Sequence, residues 1–181
     1  PWFHTKTPFS ESKALVRTLT GHTRHISACA VSPDGAWIIS ASADNTLKVW
    51  DATTGQEIHT LTGHTSWVQG CAVTPDGTKI ISACVKSLKI WDVNSGQELS
   101  TILTGNTDQS MGNAVFCGVS PDGSWIVSGS ECRNEDRTLK IWDMASGREL
   151  HTLTGHTGWP RCCAVSPDGS WIVSGSVDKT L

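Results

Sequence analysis

The chain lacks any apolar run approaching the roughly 18 to 20 residues that cross a bilayer. Its amino end has neither a basic start nor an apolar signal core, so no membrane partner is expected. No run of Lys or Arg is interleaved with aromatic residues, and 14 basic against 17 acidic side chains give a formal net charge of -3. A nucleic-acid partner is therefore disfavoured.

Signals for helices and for enzyme chemistry are also missing. No long segment spaces its apolar residues three and four apart. The sequence contains no nucleophile elbow, phosphate loop or metal cluster, so we predict neither catalysis nor a cofactor or metal. Because the chain does not begin with Met, we expect a piece of a longer protein.

An internal repeat is the main positive observation. The turn motif Ser-Pro-Asp-Gly starts at Ser32, Ser120 and Ser166, with a variant at Thr74, so copies lie about 42 to 46 residues apart. Trp-Asp pairs recur in the same phase and begin at Trp50, Trp91 and Trp142. A Gly-His pair begins at Gly21, Gly63 and Gly155, and the third copy has Gly105-Asn106 in its place. Three markers in one phase indicate one structural unit per period.

Each period reads as four short strands. In the first copy these are ISACAVS, WIISAS, TLKVW and EIHTL, separated by the turn-forming PDG, ADN and TTG. The strands show no clearly polar face, as expected for small sheets covered on both sides by neighbouring sheets. The fold class predicted from these patterns is all-β.

These motifs (GHT, SPDG, and LKVWD or LKIWD) resemble the WD-repeat β-propeller family. The resemblance implies four-stranded blades arranged in a ring of about seven, so we expect about four blades forming an open arc of a larger ring. We assign residues 1–13 to a linker and 14–181 to the propeller segment. The blade repeats are about 14–61, 62–103, 104–153 and an incomplete 154–181. ALVRTL at 14–19 is expected to be an outer strand, and 161–181 to supply three inner strands.

The resemblance also implies a buried hydrogen-bond chain in each blade, joining His, Ser, Asp and Trp. Only the first copy is complete, with His22, Ser40, Asp44 and Trp50. The other copies contribute His64, Ser82, Trp91, Ser128, Asp136, Trp142, His156, Ser174 and Asp178. The second copy has Val85-Lys86 where Asp is expected, the third has Asn106 in place of His, and the fourth ends before its Trp.

A Ser, a His and an Asp in one motif also suggest a catalytic triad. We favour the structural interpretation, because a nucleophilic Ser needs exposure and an oxyanion hole, whereas these Ser residues lie inside apolar strands in every repeat.

Seven cysteines are present, and four occupy one place in successive copies: Cys29, Cys71, Cys117 and Cys163. Equivalent places on stacked sheets are about 10 Å apart, farther than the roughly 4.4 to 6.8 Å of a disulfide. We expect these four to be reduced core residues in a cytoplasmic protein. A metal site of Cys162, Cys163 and His156 is disfavoured, because neighbours in a strand point to opposite faces. Pro160 is tolerable if its strand is the inner edge of its blade.

The loops after Gly-His-Thr differ between otherwise repetitive flanks. They and their neighbours supply the candidate partner-binding residues Arg24, His25, Trp67, Gln69, Trp159 and Arg161. Trp67 and Trp159 are suited to binding another protein or peptide, although both indoles could instead pack on a neighbouring blade. Two insertions in the third copy are expected on the same face, either as part of that surface or as solvated loops. The resulting prediction is a non-catalytic scaffold or sensor module of a signalling protein; the alternative is a half-propeller that dimerises to close a ring.

Overall fold

The computed structural model describes residues 17–104, 115–130 and 137–181. This part of the chain contains strands and turns but no helix, and hence none that could cross a membrane. The strands are β1 (Ile26–Val31), β2 (Trp37–Ser42), β3 (Leu47–Asp51), β4 (Glu57–Leu61), β5 (Val68–Val73), β6 (Lys79–Cys84), β7 (Ser87–Asp92), β8 (Glu98–Leu103), β9 (Val115–Val119), β10 (Trp125–Ser130), β11 (Leu139–Asp143), β12 (Glu149–Leu153), β13 (Pro160–Val165) and β14 (Ile172–Ser176).

The strands form four antiparallel sheets, in chain order. Three sheets are four-stranded meanders, β1-β2-β3-β4, β5-β6-β7-β8 and β9-β10-β11-β12, and the fourth contains β13 and β14. The first strands of successive sheets pack on one another, β1 on β5, β5 on β9 and β9 on β13. The all-β prediction and the blade architecture are thereby confirmed, and the arc is open.

A Ser-Pro-Asp-Gly turn joins the first two strands of a blade. At the first turn, Gly35 N donates to Ser32 O at 2.9 Å, and Gly35 adopts φ 74°, which favours glycine. Ser32 Oγ donates to Asp34 Oδ1 at 2.6 Å and accepts from Trp37 N at 3.0 Å. The same bonds recur in the other three copies, so this turn fixes where every second strand begins.

The core consists of apolar layers between neighbouring blades. Between the first and second blades, Ile39 and Val49 pack in one cluster with Val68 and Ile80. A second cluster joins Leu88 of the second blade to Ile126 and Trp142 of the third, among others. Burial on both sides explains why the middle strands show no polar face.

One expectation about the chain's ends was wrong, and a second falls partly outside the described residues. Segment 161–181 supplies two strands rather than three, because residues 177–181 form a turn, with Lys179 N donating to Ser176 O at 3.2 Å. Of the expected outer strand ALVRTL, residues 17–19 are described and are not in a strand. No described strand lies beside them to pair with; instead Arg17 Nη1 donates to Thr53 O at 2.6 Å in the β3–β4 turn.

The exposure of the four equivalent cysteines, Cys29, Cys71, Cys117 and Cys163, follows the packing of the blades. Cys71, Cys117 and Cys163 are half-buried, and burial raises the pKa of Cys71 and Cys163 to about 12 and that of Cys117 well above its ordinary value. Cys29 was expected in the core but is exposed, because no described blade covers the outer side of β1. The six cysteines in the described part are free thiols, and Cys132 lies outside it.

Pro160 is the first residue of β13, at the edge of its sheet, where it pairs with Ser176. Its ring is fully buried. A proline in this place removes no hydrogen bond of the ladder interior, which explains why the strand tolerates it.

Candidate functional site

The first blade contains a continuous relay of four side chains. Trp50 Nε1 donates to Ser40 Oγ at 2.8 Å, and Ser40 Oγ lies 2.8 Å from His22 Nε2. His22 Nδ1 lies 2.8 Å from Asp44 Oδ2. Because Asp44 can only accept, the ring proton belongs on Nδ1, and Ser40 then donates to Nε2. Every polar atom along the relay therefore has a partner.

Asp44 is the acceptor at the end of this relay. Besides the His22 ring it accepts from Thr23 N at 3.0 Å, Thr46 N at 3.0 Å and Thr46 Oγ1 at 2.6 Å. Burial opposes ionisation of the carboxyl, but the bonds from Thr46, His22 and Thr23 outweigh it and hold its pKa well below the ordinary value. Asp44 is thus an ionised carboxylate whose hydrogen bonds join the β2–β3 turn to the loop that precedes β1.

The relay has the connectivity of a catalytic triad, but Ser40 cannot act as a nucleophile. Its side chain is buried, its proton is directed to His22, and its oxygen already accepts from Trp50. A nucleophilic Ser must present its oxygen to a substrate in an accessible pocket. The geometry favours a structural role.

Trp50, Trp91 and Trp142 lie in equivalent surroundings. Trp91 donates to Ser82 at 2.8 Å and Trp142 to Ser128 at 2.9 Å. A lysine two residues before each Trp places its Nζ 5.8 to 5.9 Å from the indole centroid. This repetition is what a common blade structure requires.

The second and third blades have incomplete relays. His64 Nε2 lies 2.6 Å from Ser82 Oγ, but the β6–β7 turn provides no carboxylate. In the third blade Ser128 and Trp142 are joined, whereas Asn106 and Asp136 lie outside the described residues.

In the fourth blade the His, Ser and Asp of the relay are joined, and the Trp is the member not found among the described residues. His156 lies 3.0 Å from Asp178 and 2.8 Å from Ser174, but no Trp of the described residues donates to Ser174. A cavity of about 320 Å³ opens beside Ser174, His156 and Leu181. In the first blade, the indole of Trp50 lies against Gly21, whereas the space beside Gly155 is empty. The cavity therefore marks the place that a Trp holds in the other blades.

Sequence reasoning missed a second repeated set, Lys-Glu-Thr. Lys48 Nζ donates to Glu57 at 2.6 Å and to Thr60 at 2.7 Å, and Lys89 does so to Glu98 and Thr101. The third blade repeats the ion pair with Lys140 and Glu149 at 2.7 Å. The signal was present in the sequence, since Lys and Glu are nine residues apart in all three copies.

Four of the candidate partner-binding residues, Arg24, His25, Trp67 and Trp159, lie in loops at one end of the blades, whereas Gln69 and Arg161 are the second residues of β5 and β13. Backbone bonds tie the loops before the first strands to the turns after the second strands: Ala43 N donates to His25 O at 3.0 Å, and Val177 N to Trp159 O at 3.1 Å. We call this end the loop face, formed by residues 22–25, 43–46, 64–67, 85–86, 156–159 and 177–180.

The six candidates differ in exposure. Arg24, His25 and Arg161 are exposed, whereas Trp67, Gln69 and Trp159 are half-buried. The Trp67 ring meets His25 of the preceding blade edge-on, with ring centroids 5.6 Å apart. Trp67 thus contacts a neighbouring blade while part of its indole stays open to solvent. The third-blade insertions expected on this face lie outside the described residues.

Comparison with known proteins identifies one family model, described as WD domain, G-beta repeat. It matches four times, at residues 13–51, 55–92, 97–143 and 147–181.

Individual relatives carry the same repeat. An uncharacterized WD repeat-containing protein of Synechocystis sp. is 32% identical over 158 residues, which are 87% of this chain and 43% of that protein. Nuclear distribution protein nudF of Emericella nidulans is 30% identical over 84% of the chain and 24% of its own length. Ribosome assembly protein 4 of Saccharomyces cerevisiae is 43% identical over 28% of the chain and 10% of its own length. The chain thus spans less than half the length of these relatives.

Proposed function

Because the chain belongs to the WD-repeat family of β-propeller proteins, we propose that it is a non-catalytic interaction module that binds another protein or peptide on the loop face. Proteins of this family are generally interaction scaffolds. The proposal extends to a signalling role. It also includes a reducing, cytoplasmic setting, which the free thiols of the described part support.

One observation carries the proposal: the loop face has the same backbone hydrogen bonds in different blades, but it bears different side chains. His25 and Trp159 occupy equivalent places, and the same backbone bond holds each, from Ala43 N and from Val177 N. The side chains differ, an imidazole at 25 and a larger indole at 159, and the residues before them are Arg24 and Gly158. Loops held by a rigid scaffold are the usual place for binding residues, because their side chains can change without cost to the fold.

Trp67 is the first anchor to test. A half-buried indole braced by His25 loses little freedom on binding while it covers a large contact area. The same reasoning applies to the half-buried Trp159.

The experiment selects peptides that bind the chain from a displayed library and measures their affinity for variants. Trp67→Ala and Trp159→Ala are expected to weaken binding by about tenfold or more, the range of a hot-spot residue. Trp171→Ala is the matched control, because this indole is 59% exposed and lies at the opposite end of its blade.

Thermal unfolding of the same variants distinguishes binding from packing. An interaction role predicts weaker binding with a nearly unchanged melting temperature. Lower melting temperatures with unchanged affinity would instead assign both indoles to packing between blades and reject the proposed anchors.

Self-association is a second candidate, favoured by apolar side chains at both ends of the arc. Ile26 is 53% exposed, whereas Val68, its equivalent in the second blade, is fully buried. Val31, Trp171 and Val177 are also exposed. A second copy covering these surfaces would give a molar mass that rises with concentration in light scattering, and a constant monomer mass would reject it.

A further inference from the structure

The second blade holds a buried His-Cys arrangement that the first blade does not have. In the first blade, an oxygen of Asp44 accepts from His22 Nδ1 at 2.8 Å and from Thr23 N at 3.0 Å. In the second blade the turn between β6 and β7 is only Val85–Lys86, so this turn brings no carboxylate to His64. Cys84 precedes this turn.

The proton of His64 is assigned by analogy with the first blade. Trp91 Nε1 donates to Ser82 Oγ at 2.8 Å, and Ser82 Oγ lies 2.6 Å from His64 Nε2, the geometry in which Ser40 donates to His22 Nε2. With Ser82 donating in the same way, the ring N–H of His64 is at Nδ1.

That N–H is buried without a conventional acceptor. His64 is 7% exposed, and its Nδ1 has no hydrogen-bond partner among the described residues. The buried Ser66 Oγ is in the same situation. Buried donors without acceptors are rare, and each calls for an explanation.

His64 and Ser66 both influence the sulfur of Cys84. Ser87 Oγ lies 3.4 Å from it. Burial opposes ionisation of this thiol, but the polar side chains of His64, Ser66 and Ser87 outweigh burial and lower its pKa to about 6. By contrast, burial raises the pKa of Cys71 to about 12. The lowered pKa favours the thiolate of Cys84 near pH 7, and by strand register Cys84 holds the place of Ser42, two residues before Asp44 in the first blade.

We propose that Cys84 is a modification site for small hydroperoxides, and that the oxygen added to its sulfur takes the place of the Asp44 carboxylate oxygen in the first blade. The thiolate attacks one peroxide oxygen, an S–O bond forms and the O–O bond breaks. Sulfur is oxidised by two electrons to the sulfenic acid. The leaving hydroxide takes a proton from solvent and departs as water. The new oxygen accepts from His64 Nδ1.

Access restricts the oxidant to small molecules. Cys84 is 1% exposed, yet it lies two residues from the exposed Lys86 and beside the half-buried Ser66 on the loop face. Hydrogen peroxide has two heavy atoms and needs only a small opening of this two-residue turn. A maleimide is too large to enter without unfolding the blade.

The test treats the folded chain with hydrogen peroxide near pH 7, removes the peroxide with catalase, and unfolds the protein in excess dimedone. Trypsin places Cys84 in the fragment 80–86 and Cys29 in the fragment 25–48, so mass spectrometry reads each site alone. We expect Cys84 to be labelled about tenfold faster than the exposed Cys29, because the thiolate is the reacting form. In the folded protein, N-ethylmaleimide should show the opposite order.

Variants assign the effect to its residues. Cys84→Ser is expected to abolish the label in fragment 80–86, and His64→Gln to slow labelling of Cys84 about fivefold or more. The wild-type comparison needs no variant to fold. Labelling of Cys84 no faster than that of Cys29, or a rate unchanged by His64→Gln in a folded variant, would overturn the proposal.

Discussion

Phe116 and Gly129 face each other on neighbouring strands of the third blade, and the ring of Phe116 fills the space that a side chain at 129 would need. A Cβ placed on Gly129 would lie 2.4 Å from the ring. The equivalent pair in the first blade is Ala28 with Ala41. A large residue on one strand is thus matched by a missing side chain on the other.

Gly129→Ala is expected to destabilise the chain by about 1 to 3 kcal/mol through overpacking. Urea unfolding measures this. In the double variant Phe116→Ala/Gly129→Ala the alanine at 129 should cost little, which restores the pairing of the first blade and gives a coupling energy of about 1 kcal/mol or more. Additive single effects would show that the two residues do not share this space.

Asp44→Ala is expected to cost about 1 to 3 kcal/mol of unfolding free energy, because the His22 ring and two backbone N–H groups lose their acceptor. Chemical denaturation measures the loss. Asp44→Asn keeps one acceptor oxygen and should cost less. No loss in Asp44→Ala would show that the relay does not stabilise the blade.

Trp50→Phe is expected to cost about 1 to 3 kcal/mol, because Ser40 loses a donor and a smaller ring leaves a gap. Trp171→Phe is the matched control and should change stability by less than about 0.5 kcal/mol, since that indole is largely exposed. The two urea midpoints provide the comparison. Equal losses would assign no special role to the buried indole.

Acid is expected to weaken the fold through the Pro-Asp-Gly turns. Hydrogen bonds from Thr74, Ser120 and Ser166, the largest cause in each case, lower the pKa of Asp76, Asp122 and Asp168 to about 2, from an ordinary 3.8. A lowered pKa in the folded state stabilises the protein above about pH 5, and this contribution is lost as pH falls from about 4 to about 2.

Urea midpoints measured at pH 7, 5, 3.5 and 2.5 test this expectation. Asp122→Asn removes one titrating group, so its midpoint should fall less between pH 5 and 2.5 than that of the wild type. Parallel curves for the two proteins would contradict the contribution of Asp122.

The strands and the equivalent surroundings of Trp50, Trp91 and Trp142 were predictable from the sequence. Both depend on turn residues and on a motif that recurs within each blade. Cys29 shows where this reasoning ends: its place in the repeat predicts burial, but its exposure depends on whether another blade covers β1. The fit of the Phe116 ring into the space left by Gly129 depends on which residues face each other across the sheet. The contact between His25 and Trp67 depends on how two blades meet.

The stacking of β1, β5, β9 and β13 means that, among the described strands, each blade packs mainly against its immediate neighbours. Stability in such an arrangement is close to a sum of individual units and the junctions between them. Damage in one unit should then weaken the adjoining junctions and leave distant units intact. Amide hydrogen exchange would consequently be slowest in the two middle units and fastest in the two-stranded final one.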